Sequence, residues 1–162
     1  MAYTPVVGTL AYVRRGGDVL MVHRSFKDAD PALGKYNGLG GKLEPDEDVV
    51  AGLRRELREE AGIEISAWRL RGTVSWPGFG ADGESVLAFV FVVDAFTGEP
   101  PAANDEGTLH WIPQAELAGL PLWEGDHHWL GLVFDETVAQ FHGVMPYADG
   151  RPADWQVSIL PA

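Results

Sequence analysis

"GGKLEPDEDVVAGLRRELREEAGIEI", residues 40–65, decides how the rest of the chain is read. Asp46 is placed to cap a helix that runs to about Ala61, with Gly62 as its C-cap. Val50, Leu53 and Leu57 recur at helical spacing on one face and predict packing against a sheet. The opposite face raises a problem. With Glu56 set at zero, Glu59 falls near −60 and Glu60 near +40, at about 100 degrees per residue. Three carboxylates on one side repel by roughly a few tenths of a kcal/mol per neighbouring pair. Most acidic helical runs are solvated faces, and the charges alone do not exclude that reading here. The alternative is a hard divalent cation, which prefers oxygen ligands and offsets the repulsion. Arg55, four residues before Glu59, can hold its side chain in one orientation. The glycines at 38, 40 and 41 let backbone come close to the same cation or to phosphate oxygens.

Outward from this segment, the chain alternates strand and helix signals. "VVGTLAYVRR" and "DVLMVHRS", parted by Gly16-Gly17, predict a hairpin, and "KDADPALGKYNGLGG" predicts a loop. "WRLRGTVSW" and "SVLAFVFVVDAF" predict two longer strands around a Gly-rich turn. "GTLHWIP" predicts another strand, followed by a short helix at "PQAELAGL". A second long helix is expected at about 126–138, and "FHGVMPYADGRPADWQVSIL" predicts a closing hairpin around Asp149-Gly150. Strands before and after two main helices imply an α/β fold, a mixed sheet covered on both sides.

Composition bounds the function. The 162 residues fit one domain with a sizeable core. A net charge of −12 excludes an ordinary basic nucleic-acid surface, but a polyphosphate can still bind through bridging cations. With no cysteine, thiolate catalysis and disulfides are excluded. No apolar run approaches the roughly 18 residues needed to span a bilayer, and no signal peptide is evident at the N-terminus. The expectation is a cytoplasmic, monomeric single domain over residues 1–162, without a nucleic-acid polymer or membrane partner.

Residues 41–63 read Gly41, five residues, Glu47, seven residues, Arg55-Glu56-Leu57, one residue, Glu59-Glu60, one residue, Gly62-Ile63. This spacing resembles the Nudix box, GX5EX7REUXEEXGU with U aliphatic, at every fixed position. A chance match is on the order of 10⁻⁷ per chain. The resemblance implies an α/β/α sandwich and hydrolysis of a nucleoside diphosphate linked to another group, with Mg²⁺ or Mn²⁺. It implies Glu56, Glu59 and Glu60 as metal-binding and catalytic carboxylates, with Gly40 offering its carbonyl to a metal. Arg55 would orient the carboxylates and Glu47 would pair with Arg55. Glu106 sits where many relatives place a further acidic ligand, although loop glutamates are commonly just solvated.

Outside the box, "GKYNGLGGK" and "LPLWEGDHHWLGLVFDETVAQFHG" resemble the MutT-related branch that hydrolyses oxidised purine nucleoside triphosphates such as 8-oxo-dGTP, sanitising the nucleotide pool. Asn37, Trp123 and Asp126 match that branch's base-reading positions. Gly125 departs from the pattern, which has Asp there, and leaves the preferred oxidised base open. Lys42 is a candidate phosphate contact. Trp76, Trp123 and Trp129 each have a plain core alternative, and Asn37 a plain turn one. His127-His128 is assigned no metal, because adjacent residues diverge on a helix and no third ligand is evident. The same chemistry on a nucleotide sugar, dinucleotide, dihydroneopterin triphosphate or capped RNA remains an alternative, as does a non-catalytic nucleotide sensor.

Overall fold

A computed structural model describes all 162 residues. Strand β1 (Val6–Arg15) alternates strictly, sending Ala11 and Val13 to one face of the sheet and Tyr12 to the other. That alternation generates the layering. One face collects Leu20, Val22, Leu39, Phe91 and Val93 against helix α1 (Val49–Ala61), through Leu53, Leu57 and Ala61. The other collects Val19, Met21, Val74, Val90 and Val92 against Trp129, Leu130 and Val133. Leu53 and Leu57 are fully buried, each contributing about 1.5–3 kcal/mol. Val50 is only half-buried.

The sheet has nine strands. β2 (Asp18–Arg24) forms the expected hairpin with β1, and β3 (Tyr36–Asn37) and β7 (Gly107–Pro113) both pair with β2. β4 (Leu39–Lys42) pairs antiparallel with β1, so the segment expected to be all loop contains two short strands. β6 (Val86–Thr97) runs parallel to β1 and antiparallel to β5 (Glu64–Trp76). β8 (Val138–Val144) runs parallel to β5, and β11 (Gln156–Pro161) closes the sheet beside β8. The path β11-β8-β5-β6-β1-β2-β3 is the mixed α/β sheet expected. No helix is long and apolar enough to cross a membrane.

Two expectations are corrected. The N-cap of α1 is Asp48, not Asp46: its backbone is extended, and one carboxylate oxygen accepts the amides of Val50 and Ala51 at 2.9 and 2.8 Å. Asp46 stays exposed. Asp48→Ala is expected to cost about 1 kcal/mol by urea melting and Asp46→Ala close to nothing. The second correction concerns residues 126–138, which do not form one long helix. A 3₁₀ turn at Glu124–His128 leads into α2 (Leu130–Phe134), which ends at Asp135, and Val138 already begins β8. The short helix after β7 is likewise a 3₁₀ turn, Gln114–Gly119. The closing hairpin is as expected: β9 (Tyr147–Ala148) and β10 (Arg151–Pro152) flank Asp149-Gly150, both at positive φ, beyond the β8–β11 pair.

Candidate active site

The acidic face of α1 meets the β4 backbone. Arg55 organises it: Nε and Nη2 donate to Glu47 at 2.9 and 2.6 Å, and Nη1 donates to Glu56 and Glu59 at 3.0 and 3.3 Å. This fork holds the Glu47 carboxyl down to about 2, chiefly through the hydrogen bonds themselves. Glu47 is thereby committed to Arg55. Glu56 is largely enclosed, and burial raises its pKa. Glu59 remains 60% exposed. Glu60 turns inward and accepts the Gly40 amide at 3.0 Å. Burial, with the nearby charges of Glu106 and Glu56, pushes the Glu60 carboxyl up to about 8.

A raised carboxyl beside two more carboxylates is a site short of positive charge. The donors are all oxygens, which suits a hard divalent ion. Space is reserved as well: a Cβ at Gly41 would lie 2.5 Å from a carboxylate oxygen of Glu56 and would push that side chain out of its bond with Arg55. The residues fit such an ion, with Glu56, Glu59, Glu60 and the Gly40 carbonyl as its candidate ligands. No three of them form a closed cage beforehand.

Next to this face opens a cavity of about 660 Å³, within the range of small-molecule sites. Gly40, Gly41, Glu106 and Arg24 line one end. Asn37, Trp76, Phe79, Trp123, Asp126, Trp129 and Tyr147 line the other. Phe79 stands edge-on to Trp123 and Tyr147, with ring centroids 5.3 and 5.0 Å apart. Asp126 has no cationic partner, and burial pushes its carboxyl up to about 7. Its charge helps burial push the Tyr147 hydroxyl up to about 12. Gly125 is packed from behind, where a Cβ would collide with the thioether of the fully buried Met145.

The NUDIX domain model matches residues 2–132. The chain belongs to the Nudix family. A Nudix hydrolase of Bacillus subtilis, YvcI, is 32% identical over 72% of this chain and 75% of its own length. The oxidized purine nucleoside triphosphate hydrolase of Danio rerio is 29% identical over 83% of each chain. Among solved structures, a MutT protein from Bacillus halodurans superposes with a TM-score of 0.80 at 24% identity, covering 94% of this chain and 97% of that one. A MutT Nudix hydrolase from Burkholderia pseudomallei gives 0.67 at 29% identity, over 81% and 99%. Nudix hydrolases generally need a divalent metal, which agrees with the unbalanced carboxylates on α1.

Within this Nudix site the structure brings together Asn37, Gly40, Trp123, Asp126 and Glu106 around one cavity. Glu56 and Glu60 lie close enough to Glu106 to feel its charge. Lys42 is different: its side chain is exposed and outside the cavity, and its carbonyl accepts Arg55 Nη2 at 3.1 Å. The cation that does line the cavity is Arg24, fixed by Asp30 at 2.8 Å and 3.3 Å from Glu106. Arg24 and Phe79 escaped the sequence reading because β-strand register and a loop fold-back put them there. Trp76 and Trp129 line the cavity as well as packing the core. His127 lies beside a separate groove with Leu117 and Phe134, whereas His128 faces Trp155, so the pair does not converge.

Proposed function

We propose that the chain hydrolyses a purine nucleoside triphosphate, with oxidised forms such as 8-oxo-dGTP preferred, to the monophosphate and pyrophosphate. The observation that carries this reading is one continuous cavity with two chemically opposite ends. The aromatic end suits a flat base between Trp123 and its neighbours, and the Asn37 amide can both donate to and accept from a purine edge. The Asp126 carboxylate faces the same space and complements base N–H donors. The acidic end suits a polyphosphate only when cations accompany it, and Arg24 adds a fixed positive charge there.

A divalent ion held at this face, Mg²⁺ or Mn²⁺, supplies neutralisation of phosphate charge and eases deprotonation of water. The protein's own groups do the rest. Arg55 keeps Glu56 and Glu59 from splaying apart. Glu60, enclosed and tethered by the Gly40 amide, is better placed than the exposed Glu59 to take the proton of the attacking water. Water adds to phosphorus, the α–β phosphoanhydride bond breaks, and pyrophosphate leaves with the displaced electron pair. The α1–β4 contact orients these carboxylates before substrate arrives, so little reorganisation is left for the reaction.

The test is a steady-state panel of 8-oxo-dGTP, 2-hydroxy-dATP, dGTP, dATP and ADP-ribose with Mg²⁺. The expected result is pyrophosphate release with kcat/KM for at least one oxidised purine roughly tenfold or more above its undamaged parent. Equal values for 8-oxo-dGTP and dGTP, and for 2-hydroxy-dATP and dATP, remove the oxidised-base preference. Turnover of ADP-ribose alone moves the substrate to another nucleoside-diphosphate compound. Nucleotide binding without any product makes the domain a sensor.

A further inference from the structure

We infer that Arg71 is a positioning residue for the base-binding wall, acting from behind it through the backbone of residues 133–139. The inference rests on the nucleotide reading above. Arg71 lies on β5 and is 4% exposed, yet no carboxylate forms an ion pair with it. Its guanidinium instead donates to four main-chain carbonyls. Nε reaches Val133 at 2.8 Å, Nη1 reaches Ala139 at 3.0 Å, and Nη2 reaches Asp135 and Val138 at 2.9 and 2.8 Å.

These carbonyls need a partner for a simple reason. α2 is only five residues long and ends at Asp135 in an extended conformation, so the last turn has no left-handed cap. The Asp135 carboxylate is used on the Thr137 amide and hydroxyl, and the Asp135 carbonyl takes the Val138 amide at 3.1 Å, which tightens the turn without a helical cap for Val133. One planar cation with five N–H donors satisfies all four, and its charge suits a helix C-terminus. A lysine cannot fork in this way.

The clamp acts on the cavity through α2. Residues 123–129, which carry Trp123, Asp126 and Trp129 into the cavity, run directly into this helix. Trp129 and Phe134, at either end of α2, both stand edge-on to Tyr12, itself a cavity residue, at 6.2 and 5.6 Å. Besides Arg71, the wall and the segment behind it are tied to the rest of the protein by the Tyr36 amide on the Pro121 carbonyl at 2.8 Å, the Ala162 amide on the Thr137 carbonyl at 3.1 Å and the exposed Arg69–Glu136 bridge at 3.1 Å. The Arg151–Glu124 bridge at 2.8 Å is exposed and weakly holding. Arg71 is therefore the buried polar anchor of this segment. α1 packs its apolar face on the other side of the sheet, and Arg71 bonds to none of its carboxylates.

The experiment compares full-length wild type with Arg71→Met and Arg71→Lys, beside Val93→Ala as a core variant on the opposite face. For the Arg71 variants, KM for the preferred purine triphosphate is expected to rise roughly tenfold while kcat stays within about twofold, with Lys closer to wild type than Met. Hydrogen exchange at the amides of 123–129 should quicken in both. Val93→Ala should lower thermal stability without raising KM. A fall in kcat at unchanged KM, a KM rise in Val93→Ala matching that in Arg71→Lys, or unchanged exchange at 123–129 overturns the inference. If Arg71→Met does not fold, Arg71→Lys decides alone. A wild type that turns over no nucleoside triphosphate removes the proposed function instead, while the exchange measurement still reads the anchor.

Discussion

Glu60→Gln lowers kcat by about 10²-fold or more, the scale of losing one preorganised electrostatic contact at a reaction centre. The substitution keeps the shape and still accepts the Gly40 amide through its carbonyl oxygen, so α1 and β4 stay in register. On the proposed mechanism it removes a carboxylate beside the Gly40–Gly41 end of the cavity that would hold the cation and take the proton of the attacking water. KM for the nucleotide should move little, because the aromatic end is untouched. Pyrophosphate release measured at saturating Mg²⁺ checks this. A variant within a few-fold of wild type takes Glu60 out of the mechanism and returns the role to Glu59.

The metal-free protein loses stability as pH rises from about 5 to 8. Glu60 titrates near 8 in the folded chain against 4.5 in an unperturbed one, because burial and the neighbouring carboxylates disfavour its ionised form. Across that window the folded state holds a proton that the unfolded state has released, so raising the pH favours unfolding. Asp126, at about 7 against 3.8, acts in the same direction and levels off sooner. The Glu60 contribution is roughly 3 kcal/mol. That corresponds to a fall in Tm of about 6–12 °C for a chain of this size. At pH 8, Mg²⁺ at 100 times its Kd should return about 2.7 kcal/mol by binding the folded state alone. Thermal melts in EDTA and in Mg²⁺ at pH 5, 6.5 and 8 measure both effects. The Glu60→Gln variant should show a shallower pH slope and a smaller response to Mg²⁺. A Tm that is flat from pH 5 to 8 in EDTA, or indifferent to Mg²⁺ at pH 8, contradicts the electrostatic account of this face.

The parts of the site that the sequence disclosed are those fixed by short-range spacing. Arg55, Glu56, Glu59 and Glu60 lie on one helix, so their mutual geometry follows from its pitch, and Glu47 pairs with Arg55 as expected. The β-branched and apolar runs of β1 and β2, parted by Gly16-Gly17, likewise disclosed the hairpin. The misread helix at 126–138 shows where local pattern fails. "HHWLGLVFDETV" has helical apolar spacing, but Arg71, more than fifty residues earlier, captures the carbonyls at 133–139 and stabilises a turn there. Asp46 and Asp48 are equally good caps on paper; Glu47, claimed by Arg55 and accepting the Glu44 amide, sets the phase of the first turn. Arg24 displaced Lys42 as the cavity's cation for a register reason. β2 runs beside the loop that carries Asp30, whereas Lys42 ends β4 facing water.

The packing of Met145 beneath Gly125 constrains how this pocket can diversify. A side chain gained at 125 meets the thioether of Met145, at a cost of about 1–3 kcal/mol unless that flexible side chain shortens or swings aside, so changes at the two positions are coupled. Variant libraries that randomise only the cavity lining leave out both Gly125 and Met145, neither of which lines the cavity. Access to a second acidic group beside Asp126 runs through Met145, a residue outside the cavity lining.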